Sequence, residues 1–462
     1  MKKMVFLLFA LFTGMGLTSQ VVSGTWLGEL KVGPQKLRLV FNVENTDDGY
    51  KATMDSPDQG AKGIPVTSVK VNHDTLSLEL TALKISYQGV ITGDVMTGTF
   101  SQSGMRFPME MKRQEQAFTM TRPQNPQPPF PYKSEDLTFR NEKDGIELAG
   151  TLTLPERPTP VPAVILISGS GPQNRDEELM GHKPFLVLAD YLTRNGIAVL
   201  RFDDRGVAAS QGDFKTATTA DFVKDVESAV TYLKGRSEIN PAQIGLVGHS
   251  EGGIIAPIVA ANRKDVAYIV LMAGTAIPGS EILDLQSDLI MKASGVPQTM
   301  ITKSQEESRK MIQAALRSKG DVAEAKKAVR KAAEESVATL PESERAEAYK
   351  MIDAKVAQLT SPWMLYFLAY DPAPVLERVK CPVLALNGDK DLQVPSKINL
   401  EGIKTGLAKG NNKKVTIVEL PGLNHLFQEC TTGLPQEYAG IEQTISPTAL
   451  KEIADWIDAQ VR

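Results

Sequence analysis

The sequence predicts an α/β fold with a mostly parallel sheet and a helical cap insertion, preceded by a small antiparallel β domain. Three observations carry this. From residue 136 onward, apolar runs of strand length alternate with amphipathic segments of helix length, the pattern of a parallel sheet covered by helices. Between residues 278 and 372 that alternation stops, and Ala-, Glu-, Lys- and Met-rich helical spacing takes over. Between residues 23 and 113, short segments of alternating polarity are broken by turns such as Asp47-Asp48-Gly49, the sign of antiparallel strands.

A chain of 462 residues exceeds one ordinary domain, and two or three are expected. The net charge of -4 leaves no basic footprint, so nucleic acid is not an expected partner. Lys2 and Lys3 precede an apolar stretch from Met4 to Leu17. That stretch is short for a bilayer span, so residues 1–19 are expected to be a cleaved signal peptide, with cleavage near Ser19 or Gln20 and no membrane insertion afterwards. No Cys ends the segment, so a lipid anchor is not indicated. The expected location is periplasmic or secreted. Cys381 opens a strand whose far end is Asn387-Gly388, and Cys430 lies just past His425. If His425 and Gly388 share one sheet edge, the two cysteines are most of a strand length apart, so two free buried thiols are expected rather than a disulfide.

Residues 20–115 form the predicted β domain, a meander that is barrel-like or sandwich-like. Gly24-Thr25-Trp26, Leu37–Val43, Leu76–Leu80 and Val95–Phe100 are strands within it. The Gly-Thr-Trp start resembles the first strand of lipocalin-type barrels over a few residues. His73 is a lone surface histidine, and nothing there forms a catalytic group. Residues 116–135 hold the run from Pro123 to Pro131 and read as a stiff extended linker. Residues 136–462 are the α/β domain. Its strands are Val161–Ser168, Ile197–Phe202, Ala267–Ala273, Cys381–Asn387 and Lys414–Leu420. Its helices are Phe185–Asn195, Thr219–Lys234 and Pro447–Val461. The insertion at 278–372 carries acidic and basic residues in balance, so its polar faces are solvated. It is expected to cap a site at the strand ends. Trp363, Met364, Tyr366 and Phe367 cluster at its end, lining either an acyl pocket or a core.

Chemistry enters at residues 248–253, Gly-His-Ser-Glu-Gly-Gly, between the apolar run Ile244–Val247 and the small-residue helix pattern from Ile254. G-x-S-x-G between strand and helix is a nucleophile elbow, which nominates Ser250. A serine hydroxyl needs a base, and the chain has four histidines. His73 lies in the β domain, His182 precedes the elbow, and His249 points away from Ser250 in so sharp a turn. His425, just past the strand ending at Leu420, sits where a sheet-borne base belongs. Asp389 and Asp391, at the end of the preceding strand, offer the acid that orients an imidazole.

Ser250, a strand-end carboxylate and His425 follow the Ser…Asp…His order of the α/β-hydrolase superfamily, which residues 136–462 resemble. Gly388-Asp389-Lys390-Asp391 followed by Val394-Pro395 resembles that family's G-x-x-D-x-x-V-P acid loop. The resemblance implies Asp391 as the triad acid and leaves Asp389 to cap the turn. Ser168-Gly169-Ser170-Gly171-Pro172 occupies the place of the oxyanion loop, with Ser where the family has His. By analogy the backbone N–H groups of Ser170 and Glu251 form the oxyanion hole, each such donor being worth about 3 kcal/mol of barrier. Asp203-Asp204-Arg205-Gly206 through Gly212 resembles a bracing loop of the family, with Ala208 in place of a glycine. The segment Ile167–Asp176 is similar to that of bacterial exported esterases joining a β domain to a capped hydrolase domain. Arg175 and Asp176 there are expected at the cleft entrance or as a solvated pair, and His182 is a possible cleft residue.

The expectation is a carboxylesterase-type serine hydrolase, acting on a small-molecule, short-chain acyl ester through an acyl-enzyme. No cofactor is implied, and no His, Cys and carboxylate cluster has metal-ligand spacing. A serine peptidase of aminopeptidase or dipeptidyl-peptidase type is the alternative on the same scaffold, with a thioesterase or acyltransferase behind it. The β domain is expected to bind a glycan, lipid or partner domain, or to anchor, without catalysis. For the insertion, a structural appendage or a dimer contact is the alternative to a cap.

Overall fold

The structure is a computed structural model that describes residues 22–32, 35–116, 120–158 and 160–462. The signal segment expected at 1–19 lies outside them. The chain divides into two compact units, one through Met120 and one from Thr121.

The first unit is a meander of nine strands: β1 (Gly24–Val32), β2 (Gln35–Thr46), β3 (Gly49–Ser56), β4 (Ala61–Pro65), β5 (Ser68–Asn72), β6 (Thr75–Leu80), β7 (Ile85–Thr92), β8 (Val95–Gln102) and β9 (Met105–Gln114). All pair antiparallel in the order β4-β3-β2-β1-β9-β8-β7-β6-β5. The two edge strands, β4 and β5, are joined by Val66 and Thr67 alone. The Val66 N–H donates to the Ala52 carbonyl on β3 and the Thr67 N–H to the Glu79 carbonyl on β6. A link that short requires the sheet to curl until its edges meet, so the unit is barrel-like. Alternation along β7, where buried and exposed residues succeed one another, sends Ile85, Tyr87 and Ile91 inward with Trp26, Phe41, Met96 and Phe100.

The second unit carries β10 (Tyr132–Asn141), β11 (Ile146–Pro155), β12 (Val161–Ile167), α1 (Pro184–Arg194), β13 (Ala198–Phe202), α2 (Thr219–Lys234), β14 (Ile239–His249), α3 (Gly252–Asn262) and β15 (Tyr268–Met272). The insertion follows as α4 (Gly279–Ala293), α5 (Gln298–Arg317), α6 (Val322–Ala338), α7 (Glu342–Leu359), α8 (Pro362–Ala369) and α9 (Ala373–Leu376). Then come β16 (Val383–Gly388), α10 (Ser396–Lys409), β17 (Val415–Leu420) and α11 (Pro447–Val461). The sheet order is β10-β11-β13-β12-β14-β15-β16-β17. The first two strands form an antiparallel hairpin, and from β13 to β17 the pairings are parallel. Helices on both faces bury the apolar strands in two cores. The insertion keeps a core of its own, to which the sheet unit contributes Ile254 from α3 and Val394 from the loop after β16.

Two details correct the linker expected at 116–135. Its last residues, from Tyr132, are already strand, paired with Pro155 on β11. The proline-rich part is also no free spacer. The Arg122 guanidinium donates to the carbonyls of Met180, Ala439 and Ile441, and Gln124 exchanges hydrogen bonds with Thr444 and Ile445. A segment with few backbone donors is held by its side chains instead.

Candidate active site

The elbow owes its shape to its glycines. A Cβ on Gly248 would collide with the carbonyl of Gly252, and one on Gly252 with the carbonyl of Ile167 on β12. The turn residue itself, Ser250, sits at φ 52°, in the left-handed region that non-glycine residues rarely occupy. Its N–H donates to the Met272 carbonyl at 2.9 Å, tying the turn to β15. Ser250 is thereby raised at the junction of β14 and α3, and its Oγ makes no hydrogen bond among the described residues.

Asp391 and His425 meet. Asp391 Oδ2 accepts from His425 Nδ1 at 2.7 Å, and both residues are buried. The other oxygen, Oδ1, accepts the N–H groups of Gln393 and Val394, each at 2.8 Å. A carboxylate so held presents one oxygen in a fixed direction. Asp389 does something else: its Oδ1 accepts the Gly422 N–H at 2.6 Å, bracing the start of the loop that carries His425. Asn424 Oδ1 accepts from Leu426 and Gln428 within that loop.

The loop after β12 runs past the elbow. A Cβ on Gly169 would lie 3.2 Å from Ser250 Cβ, a tight contact that a side chain could make only by displacing the serine by a few tenths of an ångström. The Gly169 N–H donates to Glu177, while the N–H groups of Ser170 and Glu251 have no acceptor among the described residues. Two unspent donors on either side of Ser250 are what an oxyanion would need.

The Glu251 side chain faces away from that role. Its Oε1 accepts from Thr219 Oγ1 at 2.6 Å and from Trp363 Nε1 at 2.8 Å, joining the elbow to α2 and to α8 of the insertion. Burial pushes its pKa up, opposed by those two donors. Trp363 stacks on Phe367 with centroids 5.2 Å apart, and Met364 and Phe367 are buried, while Tyr366 is half-buried. The apolar cluster at the end of the insertion is therefore seated against the elbow as well as in a core. Asp204 is likewise buried, accepting from Ser168 Oγ and the Gln173 N–H, and its pKa is pushed up to about 8, chiefly by burial.

Other candidates resolve into structure. Arg175 is neither solvated nor at liberty: it pairs with Asp203 at 2.8 Å and reaches Asp136 and Thr151, while Asp176 pairs with Arg201. Arg205 binds Asp225 and Asp144, bracing α2 against the β10–β11 turn. Ala208, in the place of a glycine, adopts φ 46°, keeping the left-handed turn without the usual residue. His182 does not face a cleft. It is fully buried, with Nδ1 on Thr444 Oγ1 at 2.9 Å and Nε2 on the Tyr438 carbonyl at 3.0 Å. Cys381 and Cys430 are free and partly buried. No group of metal-ligating side chains that could hold an ion occurs among the described residues, and no helix there is long and apolar enough to cross a membrane.

Two residues of the site were not legible beforehand. Glu177 Oε1 accepts from His249 Nδ1 at 2.9 Å, and His249 Nε2 donates to the His425 carbonyl at 3.0 Å. No spacing announces Glu177. His249 adjoins the serine but carries no signal of its own.

Residues 144–400, more than half of the chain, match the family model described as X-Pro dipeptidyl-peptidase (S15 family). The chain is 25% identical over 330 residues to esterase EstD of Thermotoga maritima, covering 71% of this chain and 68% of that protein. It is 30% identical over 168 residues to the uncharacterized protein YfhR of Escherichia coli O157:H7, covering 34% of this chain and 55% of that one. Among solved structures it is similar to the α/β hydrolase GrgF from Penicillium sp. sh18, with a TM-score of 0.43 at 18% identity, over 71% of this chain and 99% of that one. The chain belongs to the X-Pro dipeptidyl-peptidase (S15) family and, through it, to the α/β-hydrolase superfamily, and it is a hydrolase.

Proposed function

We propose that the protein is a serine esterase that cleaves short-chain carboxylic esters through an acyl-enzyme. Ser250 is the nucleophile, His425 the base, and Asp391 the residue that fixes the His425 tautomer. The observation that carries this reading is the 2.7 Å bond from His425 Nδ1 to Asp391, which leaves Nε2 to take a proton. Ser250 attacks the ester carbonyl as His425 accepts its proton. The N–H groups of Ser170 and Glu251 hold the oxyanion, and His425 then protonates the leaving alcohol. Water repeats the sequence on the acyl-enzyme. The likeness to an esterase over most of both chains supports the ester as substrate.

The family match favours one second reading, release of dipeptides by the same triad. Such an enzyme needs a free carboxylate in its cleft to hold the substrate's terminal ammonium. Glu251 is spent on Thr219 and Trp363, and Glu177 on Gly169 and His249, which supports the ester. The test sets p-nitrophenyl butyrate against X-Pro p-nitroanilides, with wild type and Ser250→Ala. Ester turnover in the wild type is expected, falling at least 10⁴-fold in the variant. Faster turnover of the anilides would transfer the assignment to the peptidase. Export of the protein is a further proposal, supported by the basic and apolar start of the sequence. N-terminal sequencing of the mature form checks it, an intact Met1 being the contrary result.

A further inference from the structure

Four loops carry the groups assigned above, and one buried pair hydrogen-bonds to three of them: the elbow, the loop after β12 and the loop after β17. Glu177 is 5% exposed and His249 is 6% exposed. A single carboxylate oxygen, Glu177 Oε1, accepts from the Gly169 N–H at 2.7 Å and from His249 Nδ1 at 2.9 Å. The opposite ring nitrogen, His249 Nε2, faces the His425 carbonyl at 3.0 Å. The two imidazoles lie with ring centroids 4.9 Å apart. Glu177 itself holds φ 50°, a conformation that a non-glycine residue keeps only where its surroundings over-determine it.

The protonation state follows from the partners. A carboxylate oxygen and a backbone carbonyl are both acceptors. A neutral imidazole donates through one nitrogen only, so one of the two contacts would set acceptor against acceptor. The ring with both nitrogens protonated satisfies both. Burial, the largest single influence, opposes that charge, but Glu177, the His425 carbonyl and Asp391 together outweigh it, and the His249 pKa lies above the usual histidine value. The groups that face the ring are Glu177 from the loop after β12, the His425 carbonyl and ring and the Phe427 ring from the loop after β17, and Asp391 from the loop after β16. Asp204, from the loop after β13, is near enough for Glu177 to repel its ionised form, and with its pKa pushed up to about 8, chiefly by burial, it stays largely protonated at pH 7.

We propose that Glu177 and His249 are a positioning dyad, a buried carboxylate–imidazolium pair that fastens the oxyanion loop and the His425 loop to the elbow before substrate arrives. The inference rests on the triad reading. Gly169 precedes Ser170, so the carboxylate sets where the Ser170 N–H points. The His425 carbonyl is the anchor of the catalytic imidazole's own peptide, so the bond from His249 sets where that ring sits relative to Ser250. Neither residue touches substrate. Their effect is on alignment, and a misplacement of about 1 Å costs on the order of 100-fold in rate.

The experiment has two parts. A fluorophosphonate probe is first applied to the wild type. Labelling at Ser250 supports the triad, and its failure would defeat that reading alone, because the ring-proton measurement needs no turnover. Protein labelled with ¹⁵N-histidine is then examined by NMR, with His249 assigned by its loss in His249→Gln. Both ring nitrogens are expected to be protonated at pH 7, and a singly protonated ring overturns the ion pair. In parallel, Glu177→Ala is expected to lower kcat about 30- to 100-fold with KM within about threefold of the wild type. Glu177→Gln still accepts from Gly169 but leaves His249 neutral, and is expected to recover about tenfold of that loss. A Glu177→Ala enzyme that melts earlier yet keeps its kcat makes the pair merely structural and overturns the proposal. Should that variant not fold, the ring protons of the wild type and the kinetics of Glu177→Gln decide.

Discussion

In the first unit the buried side chains are almost all apolar. Trp26, Phe41, Leu76, Leu78, Tyr87 and Phe100 fill the curled sheet, and Ser56 is the sole buried side chain among the described residues there that is classed as polar. At the strand-end loops of the second unit the reverse holds: Glu177, His182, Asp204, His249, Glu251, Asp391 and His425 are all buried. Apolar burial is non-directional and tolerates many arrangements. Buried polar groups are stable only with named partners at set distances. The first region therefore stores stability, and the second stores orientation. Left-handed non-glycine backbone does not follow that division: His73, Lys84 and Ser103 hold it in the first unit, as Ser250 and Glu177 do in the second.

The difference can be broken or sharpened by substitution. The largest effect is expected at Asp391→Asn. It keeps the volume but cannot accept the His425 Nδ1 proton as a carboxylate does, so kcat should fall about a thousandfold or more with little change in melting temperature. A loss under tenfold would mean that orientation is not what this aspartate supplies. Trp26→Ala in the first unit should do the opposite. It removes a fully buried indole and its bond to the Val22 carbonyl, costing that unit about 3 to 5 kcal/mol in denaturant unfolding while ester kcat stays within about twofold. A parallel fall in kcat would erase the contrast.

The smallest effect is a slope with pH. Burial, with the nearby Arg122 charge adding to it, lowers the His182 pKa to about 4 from the ordinary 6.5. Below about pH 6.5 the unfolded chain takes up a proton that the folded chain refuses until about pH 4. Stability from this group is therefore complete above that window and lost as pH falls through it, by up to roughly 3 kcal/mol. Melting temperatures measured from pH 7 down to pH 4 should fall more steeply in the wild type than in His182→Gln. Equal slopes would show that His182 charges freely in the fold.

Much of the fold was legible because its elements are long and periodic. Thr219–Lys234 and Pro447–Val461 are helices to the residue, since caps and amphipathic spacing mark both ends of a segment. The β10–β11 hairpin was less visible: its first strand begins directly after a proline run that masks where extended linker becomes paired strand. The nomination of Ser250, Asp391 and His425 came from residue types at strand ends and a family order. The partners of Glu251 did not, because Trp363 is 112 residues away and only packing brings it to the elbow. The same holds for Glu177, 72 residues from His249.

By itself the sequence determined what is local or periodic: two units of different class, a capped parallel sheet, and an elbow whose glycines single out one serine. Alternation and helical spacing encode those directly in neighbouring residues. Tertiary structure alone decided which carboxylates are spent and which are available. It turned Glu251 toward the insertion, spent Glu177 on Gly169 and His249, and left the Ser170 and Glu251 N–H groups unspent. Hydrogen-bond partnership between distant loops depends on distances of a few tenths of an ångström, and no local pattern of residues specifies those.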